Sequence, residues 1–101
     1  MKNLEIDLEK FDYYAGKISS VAHTLRISII EMLEPENTKL SVTEVYTKLR
    51  LDQATASHHL RILKDKGLLG SVRDGKNILY YLKKDELNKT LELAEKLAAI
   101  K

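Results

Sequence analysis

Along the first third of the chain the apolar residues return every three or four positions, at Leu4, Leu8, Phe11, Ala15, Ile18 and Ala22. That spacing predicts a one-sided amphipathic helix over 4–22. A second run, Leu25 to Leu33, is apolar on more than one side and therefore belongs near the centre of a core. Pro35, the only proline, lies in Glu34–Lys39, the clearest loop. A third helix starts at Ser41, which has Glu44 at capping-box spacing, and continues through Val45 and Leu49. A fourth follows almost at once. Asp52 is its cap, Ala56, Leu60 and Leu63 are its buried stripe, and Gly67 is its stop.

The period then changes to two. Leu68–Arg73 and Asn77–Leu82 flank Asp74-Gly75-Lys76, a turn signal for a hairpin. Ile78, Tyr80 and Leu82 alternate with Asn77, Leu79 and Tyr81, so one strand face can pack inward. Asp85 is read as the cap of a last helix carrying Leu87, Leu91, Ala94 and Leu97. Four helices, a hairpin and a closing helix predict a mainly α fold with a small β-hairpin wing, the winged helix-turn-helix arrangement. The 101 residues fit one domain, 1–101, with the helix-turn-helix at about 41–66 and the wing at about 68–83.

Composition narrows the function. A hydrophobic fraction of 44% with 32% charged residues describes a folded domain with a charged surface. There is no cysteine, which excludes disulfides, thiolate nucleophiles and cysteine-ligated metals. No run is apolar enough to span a membrane, and Met1–Lys10 lacks the apolar block of a signal peptide, so a cytoplasmic protein is expected. The net charge is only +2, yet residues 48–84 carry nine basic and three acidic side chains between two acidic flanks. Such a basic middle is either a surface for a polyanion or a solvated face.

The fourth helix favours the polyanion. Burying Ala56, Leu60 and Leu63 turns Gln53, Ala54, Ser57, His58 and Arg61 outward. Small residues allow close approach to a major groove, Gln, Ser and His can bond base edges, and Arg61 can reach a guanine or a phosphate. The first amides of the helix also suit a phosphate. The residues expected to contact double-stranded DNA are Gln53, Ala54, Thr55, Ser57, His58 and Arg61, with Arg73 and Lys76 on the wing. No Ser/His/Asp order, glycine-rich phosphate loop or motif-spaced carboxylate pair is visible, so neither catalysis nor a cofactor is expected.

Four segments carry a resemblance to a known family: Ala-His-Thr-Leu-Arg-Ile at 22–27, Leu-Asp-Gln-Ala-Thr-Ala-Ser-His-His-Leu-Arg-Ile-Leu at 51–63, Lys-Gly-Leu-Leu at 66–69, and Asp-Gly-Lys-Asn-Ile-Leu-Tyr-Tyr-Leu at 74–82. Over roughly residues 18–82 the chain resembles the ArsR-type (ArsR/SmtB) winged-helix repressors of bacteria. The resemblance implies a homodimeric transcriptional regulator whose first and last helices, here about 4–22 and 85–100, form the dimer interface. It also implies release from operator DNA when an effector binds.

The same apolar end helices either close the monomer's own core or pair with a second copy. Pairing is the expectation, because one recognition helix reads too few base pairs for a unique site. Arsenic and lead sensors of the family carry a Cys-x-Cys pair where this chain has Ser41 and Thr43, and hydroxyls do not replace thiolates on a soft metal. Zinc and nickel sensors use aspartate and histidines of the last helix, where this chain has only Asp85, Glu86, Glu92 and Glu95. No metal site is therefore expected. His58 is expected to face DNA, His59 to pack on a neighbouring helix, and His23 to cap or join helices. Phe11, Tyr13, Tyr14 and Tyr46 either line a small-molecule effector pocket or belong to core and interface, and the second is expected. The expected function is a dimeric repressor binding a palindromic operator. An activator with the same contacts and a winged-helix protein-interaction module are the alternatives.

Overall fold

The computed structural model describes residues 8–98, with the elements α1 (Leu8–Val21), α2 (Thr24–Leu33), β1 (Leu40–Ser41), α3 (Val42–Leu49), α4 (Gln53–Asp65), β2 (Leu69–Asp74), β3 (Asn77–Leu82) and α5 (Lys84–Ala98). The core is one cluster in which Ile29, Leu33, Val45, Ala56, Leu60, Leu63 and Leu68 have lost all or nearly all contact with solvent. Helix α4 supplies most of its centre. Ala56, His59, Leu60 and Leu63 fall at i, i+3, i+4 and i+7, so a single face is buried and the opposite face stays in water.

Each end of α4 has a local cause. Asp52 accepts the N–H of Thr55 at 3.2 Å and so satisfies one of the donors a helix start leaves open. At the other end Gly67 takes φ +80°, which lets the Leu68 N–H return to the Leu63 carbonyl at 3.0 Å. Leu63 and Leu68 are both fully buried, the apolar contact that accompanies such a helix end. The join between α3 and α4 is short because Arg50, at φ +57°, reverses the chain and the Leu51 N–H bonds the Tyr46 carbonyl at 2.9 Å.

Strands β2 and β3 pair antiparallel from Leu69↔Leu82 to Asp74↔Asn77, leaving Gly75-Lys76 as a two-residue loop. Gly75 has φ +65° and Lys76 does not share it, the pattern of a II′ hairpin turn. Tyr81 lies across Gly70, where an added Cβ would stand 2.3 Å from its ring.

Three features depart from the sequence reading. A third strand, β1, pairs with β3 through Leu40↔Tyr80 and Ser41↔Leu79, making the sheet order β1-β3-β2. Two residues are too few to carry a strand pattern of their own. Helix α5 begins at Lys84, so Asp85 sits inside its first turn instead of capping it. There it and Glu86 still favour the positive end of the helix dipole.

The third departure concerns α1, which buries Tyr14, Lys17 and Ser20, while Ala15 and Ile18 are half-buried and Ala22 is exposed. The apolar stripe read from the sequence thus lies largely beside the buried face. Leu4 and the side chains of Leu8 and Phe11, which began that stripe, lie outside the described residues, as does Ile100. The monomer measures 54 × 23 × 21 Å, with a radius of gyration of 15.2 Å. A compact chain of this length would have about 13 Å. The molecule is therefore elongated.

Candidate nucleic-acid interface

Helices α3 and α4 with their three-residue join form a helix-turn-helix, and the hairpin stands beside it as a wing. Of the residues read as DNA contacts, Gln53, Ala54, His58 and Arg61 are exposed on α4, and Arg73 and Lys76 are exposed at the wing tip. Ser57 is half-buried. Among the described residues no hydrogen bond or ion pair holds Arg61, Arg73 or Lys76, so these cations are available to an outside anion.

Thr55 has a different position. Its hydroxyl donates to Asp52 Oδ1 at 2.6 Å while its N–H donates to Oδ2 at 3.2 Å. These two bonds, the hydroxyl's first, hold the Asp52 carboxyl below its ordinary value, so it is ionised at neutral pH. Of the first amides of α4, that of Thr55 is accordingly occupied by a carboxylate. Helix α3 is closed in the same way: Ser41 Oγ accepts from the Glu44 N–H at 3.2 Å, and Glu44 Oε1 accepts from the Ser41 N–H at 2.9 Å.

Ser57 and Lys76 share a groove of about 240 Å³ with Ser41, Val42, Thr43, Asn77, Ile78 and Tyr80. The groove exists because β1 pairs with β3 and so brings the start of α3 against the wing. Thr43 and Asn77 are exposed in it and were not among the residues read as contacts. Nothing in the spacing of the sequence could have placed them there, since the pairing joins segments far apart in the chain.

Behind the recognition face lies a cluster of histidines. His23 caps α2 by accepting the Leu25 N–H on Nδ1 at 3.2 Å. His59 is buried, 4.7 Å from the His23 ring and 5.3 Å from His58. Its Nδ1 accepts from Arg26 Nε at 3.2 Å, and Arg26 also donates to the Ser20 carbonyl at 3.0 Å. The Arg26 bond needs an unprotonated Nδ1. Burial, then the neighbouring His23, Arg26 and His58, push the His59 pKa below its ordinary value. The unfolded chain therefore binds the proton more readily than the folded one, and stability must fall as pH drops below about 6.5. Thermal melts at pH 7.5 and 5.5 are expected to show the lower melting temperature in acid. His59→Gln, which keeps an acceptor for Arg26, is expected to flatten that slope; an unchanged slope would assign it to other groups.

Among the described residues no three His, Asp or Glu side chains converge as a metal-binding group, and no helix is long and apolar enough to cross a membrane. A capped recognition helix with one polar face, joined tightly to its supporting helix and flanked by a cationic wing, defines a winged helix-turn-helix DNA-binding regulator. The comparisons with known proteins agree. The family described as "Bacterial regulatory protein, arsR family" matches residues 23–71. The uncharacterized HTH-type transcriptional regulator MJ1325 of Methanocaldococcus jannaschii is 29% identical over 90 residues, 89% of this chain and 100% of that protein. The transcriptional activator HlyU of Vibrio cholerae is 27% identical over 101 residues, 96% of this chain and 92% of that one. Its solved structure matches with a TM-score of 0.71 over 87% of this chain and 94% of that chain. A cadmium resistance regulatory protein, the CadC homolog of Staphylococcus aureus, is 35% identical over 80 residues, 79% of this chain and 65% of that protein. The chain belongs to the ArsR family of winged helix-turn-helix transcriptional regulators.

Proposed function

We propose that this protein is a homodimeric repressor that reads a palindromic operator with Gln53, Ala54, Ser57, His58 and Arg61 of α4, while Arg73 and Lys76 of the wing hold the backbone. The observation that carries the reading is the exposed face of α4, polar but for the small Ala54 and ending in an arginine that, like the two cations of the wing, has no partner among the described residues. Thr55 is kept in the proposed contact set, with its hydroxyl donating to Asp52 Oδ1.

Dimerisation is supported by the end helices. Ile18 and Val21 of α1, Ala22 just beyond it, Ile27 of α2, and Leu91 and Ala94 of α5 line an apolar groove of about 210 Å³, with Ile27 and Leu91 each 44% exposed. Water on so much aliphatic surface is unfavourable by about 25 cal/mol per Å², and a second copy would cover it. A two-fold dimer then presents two copies of α4 to two half-sites about one helical turn apart.

Any effector is read as a small molecule acting in the cytoplasm and not as a metal ion. Ser41, at one of the family's cysteine positions, is occupied as a helix cap, and α5 offers carboxylates alone in place of the imidazoles that suit zinc. Activation is the second reading, favoured by the name of the HlyU relative, and it uses the same contacts.

The test is selection of bound genomic fragments at about 0.15 M salt, close to physiological ionic strength. An inverted repeat with half-sites one turn apart is expected. Neutralising roughly eight phosphates per dimer gives a log–log salt slope of about −7. Arg61→Ala should weaken operator binding by about 1–3 kcal/mol and scrambled DNA much less, the mark of a base contact. Binding without sequence preference would turn the reading towards an interaction module. Release of the operator by zinc or cadmium ions would overturn the metal-free assignment.

A further inference from the structure

Lys17 is only 5% exposed, and lysines are almost never so buried unless their charge is answered. Its ammonium donates to the carbonyl oxygen of Lys66, the residue that caps the C-terminal end of α4. It lies 3.4 Å from Glu86 Oε1 of α5 and 4.9 Å from the centre of the Tyr13 ring. That carboxylate oxygen is itself buried and accepts no hydrogen bond, so the lysine is its compensation. Two glycines make the approach possible. A Cβ on Gly67 would stand 2.7 Å from the Lys17 ammonium, and one on Gly16 would meet the Lys66 side chain at 3.1 Å.

Three elements thus converge on one charge: α1, α5 and the last carbonyl of α4. The C-terminal end of a helix carries unsatisfied carbonyls and the negative pole of the dipole, so a cation there is favourable. The other partners of α4 are apolar side chains, which restrain it by shape, and the Arg26–His59 bond further up the helix.

We infer that Lys17, with Glu86, is a positioning residue for DNA binding. It ties the C-terminal end of the recognition helix to the two helices that form the dimer, so dimer geometry sets the separation of the two recognition helices. This rests on the dimeric reading above. Lys17 itself is buried away from any DNA. Loss of the bracket leaves α4 free to shift on its apolar bed, and the cost is paid in discrimination between half-site spacings.

Lys17→Met alone strands the Glu86 carboxylate and risks unfolding, so the informative variant is Lys17→Met/Glu86→Leu, which removes both charges together. In the full-length protein, sedimentation is expected to show the dimer unchanged. Affinity for the selected inverted repeat should fall about tenfold, a usual size for coupling between sites. Duplexes with the half-sites moved one base pair closer or further apart should be bound almost as well as the natural spacing. Plain destabilisation would weaken all three duplexes alike and leave the spacing preference intact, and that result would overturn the inference. Amide exchange in 63–68 supplies a readout independent of DNA. Faster exchange there, with the rest of α4 protected as before, supports the bracket, and unchanged exchange refutes it. If the unaltered protein selects no inverted repeat, the dimeric-operator reading fails, and the exchange measurement still decides whether Lys17 holds α4.

Discussion

Leu91→Glu is expected to leave a folded monomer that has lost specific operator binding. Leu91 is 44% exposed on α5, at an apolar groove shared with Ile18, Val21, Ala22, Ile27 and Ala94. In a lone chain a glutamate there would sit in water and cost little. In a dimer the same carboxylate would be buried against aliphatic side chains with no cation among the residues of the groove, and burying an unpaired charge is strongly unfavourable. Losing the second half-site forfeits the avidity of a linked pair, on the order of 10²-fold. Sedimentation should show a monomer and circular dichroism an intact helical fold, while binding to a single half-site persists at its weak intrinsic level. A variant that stays dimeric and binds normally would move the interface elsewhere.

Leu60→Ala is expected to have the largest effect on stability. Leu60 is 0% exposed at the middle of the α4 stripe and belongs to the same cluster as Ile29, Leu33, Val45 and Leu63. Truncation removes its transfer free energy and leaves a cavity that the packed helices can only partly collapse. Such changes cost about 2–5 kcal/mol. A domain of this size holds a total of about 5–15 kcal/mol, so the loss is a large fraction of it. Chemical denaturation should show a lower midpoint with an unchanged slope. Because the same helix presents Gln53, His58 and Arg61 on its outer face, DNA binding at elevated temperature should fail together with the fold. A midpoint within about 0.5 kcal/mol of the parent, the scale of surface changes, would mean that α4 is not the centre of the core.

Helix α4 was legible because every signal that makes it lies within a few residues. Asp52 caps it three positions from Thr55, Ala56, Leu60 and Leu63 share one face by period alone, and Gly67 ends it by a conformation that glycine adopts without strain. The hairpin turn at Gly75 was legible for the same reason. With the buried face known, the exposed face followed, and Gln53, Ala54, His58 and Arg61 lie there. Thr55 is the local exception, since a hydroxyl can serve a cap or a base edge and only geometry shows that Asp52 holds it. For α1 the period alone showed an apolar stripe, and Ile18 of that stripe faces the groove. It did not show that Lys17 and Ser20 are buried, each satisfied by a backbone carbonyl.

What the sequence determined by itself was the five helices and the hairpin, the caps of α3 and α4, the hairpin turn, the core stripe of α4 and the family to which those residues point. Each depends on backbone propensity and side-chain period over one or two turns, and such preferences are written locally. The tertiary structure alone decided the rest. It paired β1 with β3, set Thr43 and Asn77 in the groove with Lys76, joined Arg26 to His59, and brought Lys17 to both Glu86 and the end of α4. These contacts join residues that are distant along the chain. Their existence depends on how whole helices and strands pack, because a buried charge or polar group is stable only where packing delivers its partner.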